Sequence, residues 1–78
     1  MTPKQAAIER YTKARRALDV NAIEEYEAGI DWETPEFLRL NREVAGAERG
    51  VSWWRRWLID RRILRELDYW NRMEGGPG

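Results

Sequence analysis

The dipeptide Thr-Pro occurs twice, at residues 2–3 and 34–35, each time just ahead of apolar residues at helical spacing. An N-cap threonine accepts a hydrogen bond from a free amide of the first turn, and a proline at the first helical position has no N–H to leave unpaired. Ser52, ahead of Trp53, is a third start of the same kind. There are no alternating β-branched runs and no hairpin dipeptides between apolar segments. Three helix starts without strand signals predict an all-α fold, a small bundle of three main helices with room for one short extra helix. The connections are short, so sequence neighbours are expected to lie roughly antiparallel.

The first helix starts with a capping box, Thr2 with Gln5, and carries Ala7, Ile8, Tyr11, Ala14 and Leu18 at helical spacing. Asp19 and Asn21 interrupt the pattern, so this helix is expected to run to about Leu18. Asn21 with Glu24 then caps a short helix, AIEEYEAG, closed by Gly29. One continuous helix from Pro3 to Ala28 is the alternative. The segment GIDWET reads as a loop bearing an exposed Trp32. The helix from Pro35 places Phe37, Leu38, Asn41, Val44, Ala45 and Glu48 along one side, holds Gly46 inside, and stops at Gly50. Ser52 caps a last helix expected to run from Trp53 to about Met73. Residues 1–73 form the single helical domain, and EGGPG, 74–78, reads as a flexible tail.

A chain of 78 residues has a thin folding balance. With no Cys and no His, disulfides and the common zinc frameworks are excluded. Support must come from large side chains, self-association or a partner. Five Trp, three Tyr and one Phe supply the large side chains, enough for a small core with aromatic surface left over. Fourteen basic and fourteen acidic residues cancel, which argues against a general nucleic-acid binder and against an acidic DNA mimic. Twelve of the basic residues are Arg, either from codon usage or because Arg stacks and pairs bidentately. No apolar run approaches the roughly 20 residues of a membrane span, and MTPKQAAIERY lacks a signal-peptide core. A cytoplasmic protein, or one acting within an infected cell or a virus particle, is expected.

The stretch SWWRRWLIDRR puts three Trp and four Arg into eleven positions. On a helical wheel Trp53, Trp57, Ile59, Ile63, Leu64, Leu67 and Trp70 share a broad arc, read here as the core stripe. Asp60 and Arg56 fall inside that arc and read as a rim pair, or else Asp60 pairs with an Arg of another helix or chain. A second arc holds Trp54, Leu58 and Tyr69 among Arg61, Arg62, Arg65 and Arg72. Three readings compete for it: a second covered face inside the monomer, a surface for another protein, or a nucleic-acid face with Arg on phosphates and rings on bases.

Charge is segregated. Residues 19–36 hold seven acids and no base, and residues 49–65 hold six Arg against Asp60 alone. The two segments either satisfy each other within one molecule or meet between copies.

Most nucleophile–base pairs disappear with His and Cys, and Ser52 has a capping role. There is no glycine-rich phosphate loop, and Glu24, Glu27, Asp31 and Glu33 lack the spacing of a metal loop. The expectation is a non-enzymatic protein-interaction module without cofactor: an adaptor, an assembly subunit or an inhibitor docking on a larger complex. Its contacts would be Trp54, Leu58, Arg61, Arg62, Arg65, Tyr69 and Arg72, with Trp32 as an outlying anchor. The alternatives are a nucleic-acid module using Arg faces of the first and last helices, with Lys4, Arg10, Lys13, Arg15 and Arg16, and a self-assembling subunit of a particle. The expected partner is another protein or a second copy, with no membrane and no small-molecule substrate.

Overall fold

A computed structural model describes residues 2–73 of the chain. It is an all-α bundle with helices α1 (Pro3–Glu27), α2 (Pro35–Glu48), α3 (Trp53–Glu66) and the short α4 (Tyr69–Met73). The tail expected at 74–78 lies outside the described residues.

The helix starts at Thr2 and Thr34 form as the sequence indicates. Thr2 and Gln5 make both bonds of the capping box, and the Thr34 hydroxyl accepts from the Phe37 amide. Ser52 occupies the N-cap position of α3 in extended backbone, but its side chain makes no cap hydrogen bond.

The expected break near Leu18 does not occur: α1 is continuous for 25 residues. The Asp19 carboxylate is engaged by Arg15 one turn earlier, 3.3 Å away, and so does not compete for backbone amides. The helix ends where Gly29 takes a φ of +77°. The amides of Gly29 and Ile30 donate to Tyr26 and Glu25, a Schellman closure that needs a left-handed residue.

The single last helix is also corrected. It breaks after Glu66, because Asp68 adopts a φ of 54°, a left-handed conformation that Asp tolerates better than most residues. Its carboxylate accepts from the Asn71 side chain and its carbonyl from the Arg72 amide, which fixes the start of α4.

The core is a thin strip: Tyr11, Ala14 and Leu18 of α1, Leu40, Val44 and Ala47 of α2, Val51, and Ile59 and Ile63 of α3. Ala7, Ile8, Phe37 and Leu67 close its edges. The buried side of α2 is turned toward Leu40 and Ala47, leaving Leu38, Asn41 and Ala45 exposed. Burying Leu40 removes more apolar area from water than burying Asn41 or Ala45 would. Gly50 permits the close corner between α2 and α3, since a Cβ there would lie 2.8 Å from the Ala7 Cβ.

The long α1 is the spine. It contacts α2 and α3 along its length, whereas α2 and α3 have little direct backbone contact. Tyr11 reaches Asp60 and Arg16 reaches Glu66, so α3 runs parallel to α1. The result is a flat molecule, 44 × 26 × 18 Å, with α2 and α3 spread on one spine.

Candidate interaction surface

A helix with one main neighbour can bury only a narrow stripe. In α3 that stripe is Ile59 and Ile63, continued by the half-buried Leu67. The broader arc expected from the wheel is therefore wrong at its tryptophans. Trp53, Trp57 and Trp70 are 74, 53 and 63% exposed, Trp54 is 48% exposed, and Trp32 in the α1–α2 loop is 64% exposed. All five indoles face solvent. Area-proportional transfer would favour burying them, but among the described residues no second layer covers the outer side of α3.

The outer face of α3 is graded along its length. Its first turns present Trp53, Trp54, Trp57 and Leu58, and its later turns present Arg61, Arg62 and Arg65. The Arg55 guanidinium lies 4.9 Å from the Trp54 ring centroid, and that of Arg61 4.9 Å from Trp57. Such stacking holds a charge beside a ring without removing either from water.

Among the described residues, Arg55, Arg61 and Arg65 make no ion pair, and Arg62 reaches Glu66 only at 3.8 Å. No pair links the acidic segment 19–36 to the Arg-rich segment 49–65. The two segments do not neutralise each other within the molecule. Asp19 pairs with Arg15, and Glu36 with Arg39 at 2.6 Å.

The helix break relocates the rest of the expected surface. Tyr69 and Arg72 sit on α4, out of register with α3, and Tyr69 is half-buried with an edge-to-face contact to Trp70. With Trp57, Arg61, Leu64 and Arg65, these two rings line an open groove of about 650 Å³. The structure thus brings together Trp54, Leu58, Arg61, Arg62 and Arg65 on one face, joins Tyr69 to it through the groove, and leaves Arg72 exposed on α4. Trp32 lies apart, in a recess with Ile30, Phe37 and Met73.

The floor of the groove is polar and is tied to the spine. Asp60 accepts a 2.6 Å hydrogen bond from the Tyr11 hydroxyl and lies 3.8 Å from the Arg15 Nε. Arg56 turns instead to Glu48 of α2, at 3.0 Å. Asp60 therefore pairs across helices rather than with Arg56 along its own. Burial first, then the hydrogen bond to Asp60, push the Tyr11 phenol well above its ordinary value of 10.0, so it stays a donor. Burial likewise raises the carboxyl of Asp19, against the opposing pull of Arg15.

Sequence reasoning missed Trp53, Trp57 and Trp70 as surface, and Arg15 and Asp60 as groove floor. The signal was present: Asp60 and Arg56 sit inside the supposed core arc, and a wide arc interrupted by charge marks a narrower stripe.

Among the described residues no cluster of three carboxylates is placed to hold a metal ion, and no helix is long and apolar enough to cross a membrane. Compared with known proteins, the chain matches no family model, no curated protein and no solved structure. Its reading rests on its own geometry.

Proposed function

We propose that this protein is a non-enzymatic interaction module, an adaptor, assembly subunit or inhibitor, that docks on another protein through the outer face of α3 and the adjoining groove. The observation that carries this is the outward stripe of Trp53, Trp54, Trp57 and Leu58. Contiguous exposed apolar surface rimmed by charge marks interaction sites, and Trp, Tyr and Arg are the residues that dominate binding energy there. The stripe projects from a helix anchored by Ile59, Ile63 and the Tyr11–Asp60 bond, so its side chains are presented on a fixed frame.

The test is the double variant Trp54→Ala, Leu58→Ala. Both side chains are exposed, so helicity by circular dichroism is expected to be unchanged while capture of a partner is lost. Collapse of helicity, or capture at the wild-type level, would count against the reading.

One observation favours nucleic acid as a second reading: among the described residues Arg55 and Arg61 have no acidic partner, and they stack on indoles, an arrangement that also suits a strand with phosphates and bases. It requires an affinity that falls steeply with salt. The zero net charge weighs against it.

A further inference from the structure

Resting on the interaction reading above, we infer that the partner of the α3–α4 groove is a second copy of this chain, which inserts its Asp31-Trp32-Glu33 loop. The groove is lined by the rings of Trp57, Tyr69 and Trp70, by Arg61 and Arg65, which make no ion pair among the described residues, and by Asp60 and Asp68, of which Asp60 is already engaged by Tyr11 and Arg15. Its complement is a flat ring flanked by two acids. The loop between α1 and α2 presents that: Trp32 exposed, with exposed Asp31 and Glu33 beside it, neither of them in an ion pair among the described residues.

The acids at this end divide between two helix termini. The C-terminal end of a helix dipole favours cations, and the N-terminal end favours anions. The last turn of α1 carries Glu24, Glu25 and Glu27 and no base, and its first turn carries Lys4 and no acid. Glu25 has a local use, accepting a hydrogen bond from Thr34. Glu24 and Glu27 act against the dipole of their own helix, whereas Asp31 and Glu33 lie just ahead of the α2 N-terminus, where anions are favoured. Together they make the loop and its flank negative, with no base between residues 19 and 36.

Loop and groove flank the same short element. Trp32 shares a recess with Met73 at one end of α4, and the groove is walled by Tyr69 and Trp70 at its other end. Five residues of helix span only about 7.5 Å. In an isologous pairing each loop enters the other copy's groove at once. The assembly is therefore a closed, reciprocal dimer rather than an open filament.

The experiment is mass by light scattering on three forms: the wild type, the loop swap Asp31→Arg/Glu33→Arg, and the groove swap Arg61→Glu/Arg65→Glu. All are measured at about 0.1 mM, a hundredfold above a micromolar Kd. The wild type is expected at twice 9.3 kDa in low salt and shifted toward monomer in high salt. Each swap sets like charge against like charge and is expected to weaken its own dimer by at least about tenfold. Mixed together, the swaps form a heterodimer, because both of its contacts are again complementary. Trp32→Ala, which alters one exposed side chain, is expected to weaken the dimer without loss of helicity.

A wild-type monomer in both salts overturns the inference while leaving the α3 face free for a different protein, to be judged by the Trp54/Leu58 variant. A dimer that survives both swaps, or swaps that do not recombine, overturns it as well. So does a monomer that instead binds single-stranded nucleic acid in low salt.

Discussion

α2 and α3 are both 14 residues long, both follow an extended cap residue, and both lie against α1. They are held differently. α2 is fixed by short aliphatic side chains, Leu40, Val44 and Ala47, and carries no Trp. α3 buries Ile59 and Ile63 and is otherwise tied by polar links, Tyr11–Asp60, Arg16–Glu66 and Arg56–Glu48, while its indoles face outward. The difference teaches that the size of a side chain does not assign it to the core. Its position on the helix does: α2 and α3 each bury one stripe against α1, and the indoles of α3 fall outside that stripe.

The sharpest way to break this comparison is Ile63→Ala against Trp54→Ala. Ile63 is fully buried, and its truncation is expected to cost about 2–5 kcal/mol of unfolding free energy in urea. Trp54→Ala removes more atoms, but from a side chain half in water, and is expected to cost clearly less, about 1–2 kcal/mol at most. Equal losses would mean that the outer face is core after all.

Next in size is Gly50→Ala. The added methyl meets Ala7 at 2.8 Å, so the corner joining the two helices must open, at about 1–3 kcal/mol. Thermal unfolding should show it, and an unchanged midpoint would mean the corner is looser than described.

Tyr11→Phe tests the polar attachment of α3. It leaves Asp60 with Arg15 at 3.8 Å and is expected to cost about 1–3 kcal/mol. Amide exchange should quicken in α3 more than in α2, and equal changes in the two helices would erase the distinction.

Gly46→Ala sharpens the other side. Gly46 is an exposed interior position of α2 whose added methyl meets only the tip of Arg10, at 3.4 Å. A gain of about 0.5–1 kcal/mol is expected in the same urea titration.

The smallest effect concerns Asp19. Its folded pKa is raised, so its contribution is fully present below the unfolded value of about 3.9 and is lost as pH rises through the folded value. A carboxyl NMR titration is expected to place it above about 3.9. A lower value would mean that Arg15 outweighs burial.

Much of the fold was legible in local chemistry. Thr2-Pro3 and Thr34-Pro35 start helices because side-chain caps and a missing N–H act within one turn, and Gly29 ends one because only a left-handed residue closes it cheaply. The break at Asp68 was less legible, since Asp carries no strong stop signal and the turn is stabilised by bonds to Asn71 and Arg72 that form only once it exists. Of the candidate surface, Trp54, Leu58, Arg61, Arg62 and Arg65 fell outside the core stripe of the wheel, and Trp32 fell in a loop; that nothing covers them is seen only in the structure. Trp53, Trp57 and Trp70 were misplaced, because periodicity records which residues share a face but not whether anything covers it.

By itself, then, the sequence determined the all-α class, the helix starts after Thr2, Thr34 and Ser52, the stops at Gly29 and Gly50, and a chemistry without thiol or imidazole, all short-range consequences of residue type. The tertiary structure alone decided that α1 serves as the spine for both other helices, that Asp60 belongs to Tyr11 and Arg15, and that five indoles are left largely uncovered. Those facts depend on which helices meet, and that follows from burying the most apolar area across the whole chain rather than from any local pattern.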